Sequence, residues 1–276
     1  MVICMGGKER WRSEMGDKLL SAAAMAVMVV WSVLARDSTI SVAGIGVAIW
    51  FPISILLYQC LLRWLPVIGG IRTKPVAATS QWKREITAGC LLTASLSIAF
   101  LASMPLPSAL ADIIAINFAC LCALLDRREG WLPNYVLIPM LLTGLLMGMM
   151  RDNPNGAILG ATAAWVVTSL ALVFISVSLR ANFLSGGDIT MASACGAWAG
   201  IENISIFLLI SAFLHWLFCI IMRHFSIQAT RPVYLQGPDR AWVQPMGPSF
   251  ALGLALALLA HNVPGLPGWK YFIPGY

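Results

Sequence analysis

Long apolar runs alternate with short polar stretches along the chain, at about 19–35, 40–62, 88–104, 108–125, 135–150, 157–179, 189–201, 204–222 and 248–262. Several are shorter than the roughly 20 residues that a helix needs to cross a bilayer, so their ends are placed only to within a few residues. The pattern predicts an all-α, polytopic transmembrane bundle of eight or nine spans, with the run at 189–201 the weakest. The first run follows basic residues and ends in "VLA", as a secretory signal does. Its stretch of about 17 apolar residues exceeds the roughly 7–15 of such a core. An uncleaved helix is therefore expected, in an extension over 1–39 that precedes one membrane domain over 40–276.

Charge fixes the orientation. With the N-terminus in the cytoplasm, the segments 1–18, 63–87, 126–134, 180–188 and 223–247 are cytoplasmic too. They hold 15 of the 18 lysines and arginines, and only Arg36, Arg151 and Lys270 fall on the other side. That bias is what positive-inside insertion produces, and one miscounted span would scatter it. The net charge of +6 then reports topology and not a nucleic-acid partner. Composition agrees, with 59% hydrophobic and 11% charged residues and a mean hydropathy of +0.81. A soluble domain carries about 25% charged residues.

Six of the seven cysteines (4, 60, 90, 120, 122, 195 and 219) sit inside apolar runs. There is no CxxC and no cysteine–histidine spacing that suits zinc, and the three histidines lie far apart. The thiols read as small buried hydrophobes, and no metal is expected.

Two acids stand out. Asp126 ends an apolar run in "CALLDRREGWLPNY", and Asp188 begins one in "SGGDITMA". Taken singly, Asp126 reads as a solvated loop acid beside Arg127 and Arg128, and Asp188 as a helix N-cap. One hairpin of two spans separates them, so both are expected at the same, cytoplasmic, membrane face. Acids at the edge of the hydrocarbon are costly and tend to mark function. Two neighbouring carboxylates cannot both ionise cheaply, so one keeps a proton while the other is charged. Such a pair suits aspartyl hydrolysis: the charged member takes a proton from water and the protonated one polarises the scissile carbonyl. Gly186 and Gly187 suit a backbone that a substrate approaches closely. Ala192, Gly196 and Gly200 form a small-residue stripe, with GxxxG pairs at 144/148 and 156/160. Such faces serve close helix contact, for this pair or for transmembrane packing in general.

On these residues the chain resembles the type IV prepilin peptidases, bacterial inner-membrane aspartyl proteases of the GxGD kind. Asp126 with Leu132-Pro133-Asn134 is similar to the family's aspartate and following "LPD/LPN" element. Gly187-Asp188 and then "ACGAWAG" (194–200) are similar to its glycine–x–glycine–aspartate–x–lysine motif and "GAWLG"-like stretch. "LLYQCLLRWLP" (56–66), "REITAGCLL" (84–92) and "QPMGPSFALG" (244–253) keep the order over roughly 50–260. Ser185 stands at the motif's first glycine and Thr190 at its lysine. The short loop 63–87 holds no cysteine, where many members carry two CxxC pairs.

The resemblance implies Asp126 and Asp188 as catalytic residues. Gly186, Gly187, Pro133, Asn134 and Glu85 are candidates for positioning the substrate. It implies a prepilin or pseudopilin substrate with a short basic leader, cut after a glycine at the cytoplasmic face of the inner membrane. Membrane lipid and pilus or secretion assembly machinery would be partners. No cofactor is expected, since the missing cysteines speak against S-adenosylmethionine-dependent N-methylation. Two other classes fit parts of the pattern: a proton-coupled transporter or channel with acids as relays, and a non-catalytic assembly subunit descended from a peptidase.

Overall fold

The computed structural model describes residues 38–75, 79–178, 180, 185–224 and 245–262. The expected first span and nearly all of the extension 1–39 lie outside the described residues. All the secondary structure among the described residues is helical: α1 (Ser38–Ile68), α2 (Ser80–Ser103), α3 (Leu106–Glu129), α4 (Asn134–Met150), α5 (Pro154–Ser178), α6 (Gly186–His224) and α7 (Gly247–Asn262). Five helical segments are long and apolar enough to cross a bilayer, and α4 and α7 are shorter apolar helices. Large apolar side chains on the outside, such as Phe174 at 73% exposure, face outward where lipid would lie.

The helices run further than the apolar pattern predicts. The polar segment expected at 63–87 shrinks to a connection over 69–79, because its charged residues complete helix ends. The Thr79 side chain accepts a hydrogen bond from the backbone N–H of Trp82 at 3.3 Å and so caps α2. Likewise α3 continues through Arg127 and Arg128, two cations in a last turn where the helix dipole favours them. Gly130, at φ 60°, then ends the helix in the left-handed conformation, and its N–H donates to the Asp126 carbonyl at 2.7 Å.

The runs expected at 189–201 and 204–222 are two helices that follow each other without a loop within α6, and the break between them falls at Gly200 (φ 70°, ψ 169°). The break is a reversal. A straight helix would put Phe218 about 45 Å from Asp188. Instead the Arg127 guanidinium lies 5.6 Å from the Phe218 ring, and its neighbour Asp126 lies within reach of the charge of Asp188. At the turn, Glu202 accepts a hydrogen bond from Asn153 Nδ2 at 2.8 Å.

The core divides along a seam. α1 and α2 pack with α3 on one side, and α4 and α5 pack with α6 on the other. α7 lies between α3 and α6, which barely touch each other directly. Small residues make the α5–α6 contact: a Cβ on Gly196 would fall 2.5 Å from the Gly160 carbonyl oxygen. The Ser193 hydroxyl donates to the Ala161 carbonyl at 3.1 Å. Gly144 of α4 leaves room for Trp198, whose indole N–H donates to the Met140 carbonyl at 2.9 Å. Of the predicted small residues, Gly144, Gly148, Gly160 and Gly196 lie at interhelical contacts, whereas Gly156 packs against Asn153 at the start of its own helix.

Candidate active site

The seam opens on the two aspartates. Asp126 sits in the last turn of α3 and is 6% exposed. Its Oδ2 accepts a hydrogen bond from the backbone N–H of Gly247 at 2.7 Å. Gly247 opens α7, so the positive end of that helix dipole faces the carboxylate. A Cβ at position 247 would fall 2.9 Å from both Cβ and Oδ2 of Asp126 and 3.3 Å from Cα of Ala123. Only glycine brings its N–H this near.

Asp188 enters from the other side of the seam, as the third residue of α6. It is not the N-cap. Ser185 holds that position: its hydroxyl accepts the Asp188 backbone N–H at 3.4 Å and hydrogen-bonds the Asp188 carboxylate in return. The hydroxyl thus makes the serine half of a capping box, satisfying the N–H three residues on. The same local logic explains Thr190, whose hydroxyl donates to the Gly186 carbonyl at 2.8 Å. One turn deeper than Asp126 lies Cys122, and two turns beyond Asp188 lies Cys195, both fully buried.

The turn before α4 closes the site. A Cβ on Gly187 would fall 2.9 Å from the Leu132 Cβ, so the glycine admits this turn and not a substrate. Pro133 is buried, and its carbonyl accepts the N–H groups of Val136 and Leu137 at 2.9 and 3.0 Å. Asn134 is exposed. Around a Cβ on Gly186 nothing lies within 4 Å, so its exposed backbone is open to an incoming chain. Glu85 lies one shell away: it pairs with Arg127 Nε at 3.3 Å, beside Asp126.

Two site features escape sequence reasoning. Gly247 reaches Asp126 from 121 residues away, and the only signal for it is the "MGPSF" stretch seen through the resemblance. Glu129, beside two arginines, reads as a solvated acid, yet it is 1% exposed. Arg72 donates to its Oε2 from Nε and Nη2 at 3.0 and 2.9 Å, and Arg128 Nε lies 3.1 Å from its Oε1. Among the described residues no group of three histidine, cysteine, aspartate or glutamate side chains is placed to hold a metal ion.

Residues 113–220, which include both aspartates, match the type IV leader peptidase family. The chain is 27% identical over 212 residues to a prepilin leader peptidase/N-methyltransferase of Aeromonas salmonicida, covering 75% of this chain and 68% of that protein. Its match to the protein of the same name from Vibrio cholerae serotype O1 is 27% identical over 101 residues, 34% of this chain and 39% of that one. One from Neisseria gonorrhoeae is 22% identical over 120 residues, 41% of each chain. No solved structure matches. Both aspartates thus lie inside the stretch that is similar to the type IV leader peptidase family.

Proposed function

We propose that the chain is a membrane-embedded aspartic endopeptidase that removes the short basic leader of type IV prepilins or pseudopilins. The observation that carries this reading is the pairing of Asp126 and Asp188 from two helices at one end of the bundle. One carboxylate takes a proton from water while the other, protonated, hydrogen-bonds the scissile carbonyl oxygen. The water oxygen adds to the carbonyl carbon. The C–N bond then breaks as the leaving amine takes a proton from the pair, which returns to its starting state. The proton inventory belongs to the pair, and neither aspartate is assigned a fixed role.

The other residues divide by geometry. Gly186, open and exposed, and Asn134, exposed at the start of α4, belong to the substrate side. Gly187 and Pro133 hold the turn against α6. Glu85 keeps the neighbouring Arg127 in place. The distribution of lysine and arginine supports an active site on the cytoplasmic face of a bacterial inner membrane. The partners are then the prepilin, the surrounding lipid and the pilus or secretion machinery. The relatives' names also include N-methyltransferase. We restrict the proposal to cleavage, which draws on no cofactor, because the connection over 69–79 is short and without cysteine. S-adenosylmethionine has no part in it.

The test is co-expression with a prepilin encoded nearby, with the pilin read by intact mass. The active protein leaves a pilin lighter by its leader. Asp126→Asn and Asp188→Asn leave the precursor mass while the protein accumulates in the membrane at the normal level. Complete processing by Asp188→Asn would sink the proposal.

A further inference from the structure

At the Asp126 end of the bundle, two arginines from different places in the chain meet one carboxylate, and a third arginine lies beside them. Arg72 donates to Oε2 of Glu129, and Arg128 Nε lies 3.1 Å from its Oε1 as an ion pair that makes no hydrogen bond. Arg128 is fixed further: its guanidinium lies 3.4 Å from the centre of the Trp82 ring, and its Nη1 donates to the Leu62 carbonyl at 3.1 Å. Arg63, next to Leu62, lies near enough for its charge to act on Arg128, as does that of Arg72. Its Nε is buried and finds no acceptor among the described residues. Three positive charges thus gather where the described residues place a single negative one, and Arg63 Nε meets no acceptor there. Arg127 does not join them, since Glu85 holds it.

Such an excess of positive charge, partly withdrawn from water, calls for a second anion. The planar guanidinium forks suit a phosphate oxygen pair. The surroundings say how the phosphate arrives. Trp64 and Ile68, on the last turn of α1 beside Arg63, are 51% and 71% exposed. An apolar outer surface capped by tryptophan and arginine marks the height at which lipid head groups lie. We propose that Arg63, Arg72 and Arg128 bind the phosphate of an anionic phospholipid head group at this end of the bundle. The lipid supplies the missing negative charge and fastens the α1–α2 connection to the end of α3. This site is independent of the peptidase reading, since it shares no residue with the aspartate pair.

The test uses the full chain, purified in neutral detergent and offered equal amounts of phosphatidylglycerol and phosphatidylcholine. Retained lipid is counted by native mass spectrometry. The wild type retains phosphatidylglycerol in preference. Arg63→Gln, which removes no hydrogen bond seen among the described residues, retains about fivefold less of it. Lys83→Gln, an exposed charge at the same end, keeps the wild-type preference. Millimolar inorganic phosphate leaves the bound lipid in place. Equal retention of the two lipids, or an unchanged preference in Arg63→Gln, overturns the proposal. Displacement by inorganic phosphate alone also overturns it, in favour of a site for free phosphate.

Discussion

Gly247 contributes no side chain, yet it sets the geometry of the site. Its N–H commits Oδ2 of Asp126 to the main chain. Among the described residues no hydrogen bond engages Oδ1. Gly247→Ala would press a methyl group against Asp126, 2.9 Å from Cβ and Oδ2. The carboxylate must then turn or α7 must retreat. Displacing a reacting group by about 1 Å costs on the order of a hundredfold in rate. Leader removal by Gly247→Ala is therefore expected to fall by about a hundredfold in turnover, with KM little changed and the protein still inserted. Processing at the wild-type rate would show that this hydrogen bond does not position the dyad. The sequence made the two aspartates legible, because an acid at the border of an apolar run is conspicuous. It did not reveal Gly247, because nothing local distinguishes a glycine that admits a distant carboxylate from one that starts a helix. For Asp188 only the reading as a lone N-cap is overturned: the serine three positions earlier takes the cap.

At the scale of the helices, close packing through small residues decides how the site is held. Gly160 of α5 and Gly196 of α6 meet backbone to backbone, and the first part of α6 carries Asp188 at one end and the reversal at Gly200 at the other. Gly196→Val forces side-chain atoms into that contact, and overpacking of this kind costs about 1–3 kcal/mol. We expect a lower unfolding temperature in detergent for Gly196→Val. Gly186→Ala, where a Cβ meets nothing within 4 Å, should leave it unchanged. Equal stability of the two variants would mean that α5 and α6 are not in this contact. The stripe itself was legible from its four-residue spacing, but its partner was not, since several helices carry suitable small residues. The helix ends were misjudged for a physical reason: hydropathy records where lipid begins, whereas caps and end charges record where the hydrogen bonds stop. Thr79, Gly130 and the arginines before Gly130 belong to the second record.

Across the described residues, the fully buried charged side chains are confined to the two ends of α3. Asp126 and Glu129 lie at one end. At the other, Asp112 is fully buried and pairs with Arg151 Nη2 at 2.6 Å. Because α3 and α4 form a hairpin, that pair closes its open side and ties the start of α3 to the end of α4. Charge counting placed Arg151 on the far side from the arginine-rich loops, and it is indeed remote from Asp126. It gave no hint that Arg151 has a buried partner, because Asp112 is a single acid within an apolar run. The two residues are not equivalent. Arg151 is 30% exposed and can swing its long side chain outward, whereas the Asp112 carboxylate has no such route. Removing one member of a buried pair costs about 3–5 kcal/mol, chiefly through the charge left behind. Arg151→Met is therefore expected to destabilise the protein by about that amount, and Asp112→Ala by less, since the guanidinium can find water. The double variant should be more stable than Arg151→Met alone. Unfolding of the three proteins in one detergent, followed by heat or denaturant, measures the order. Strict additivity of the two single effects would show that the clasp is not a coupled pair, and that α3 is held in register by packing alone.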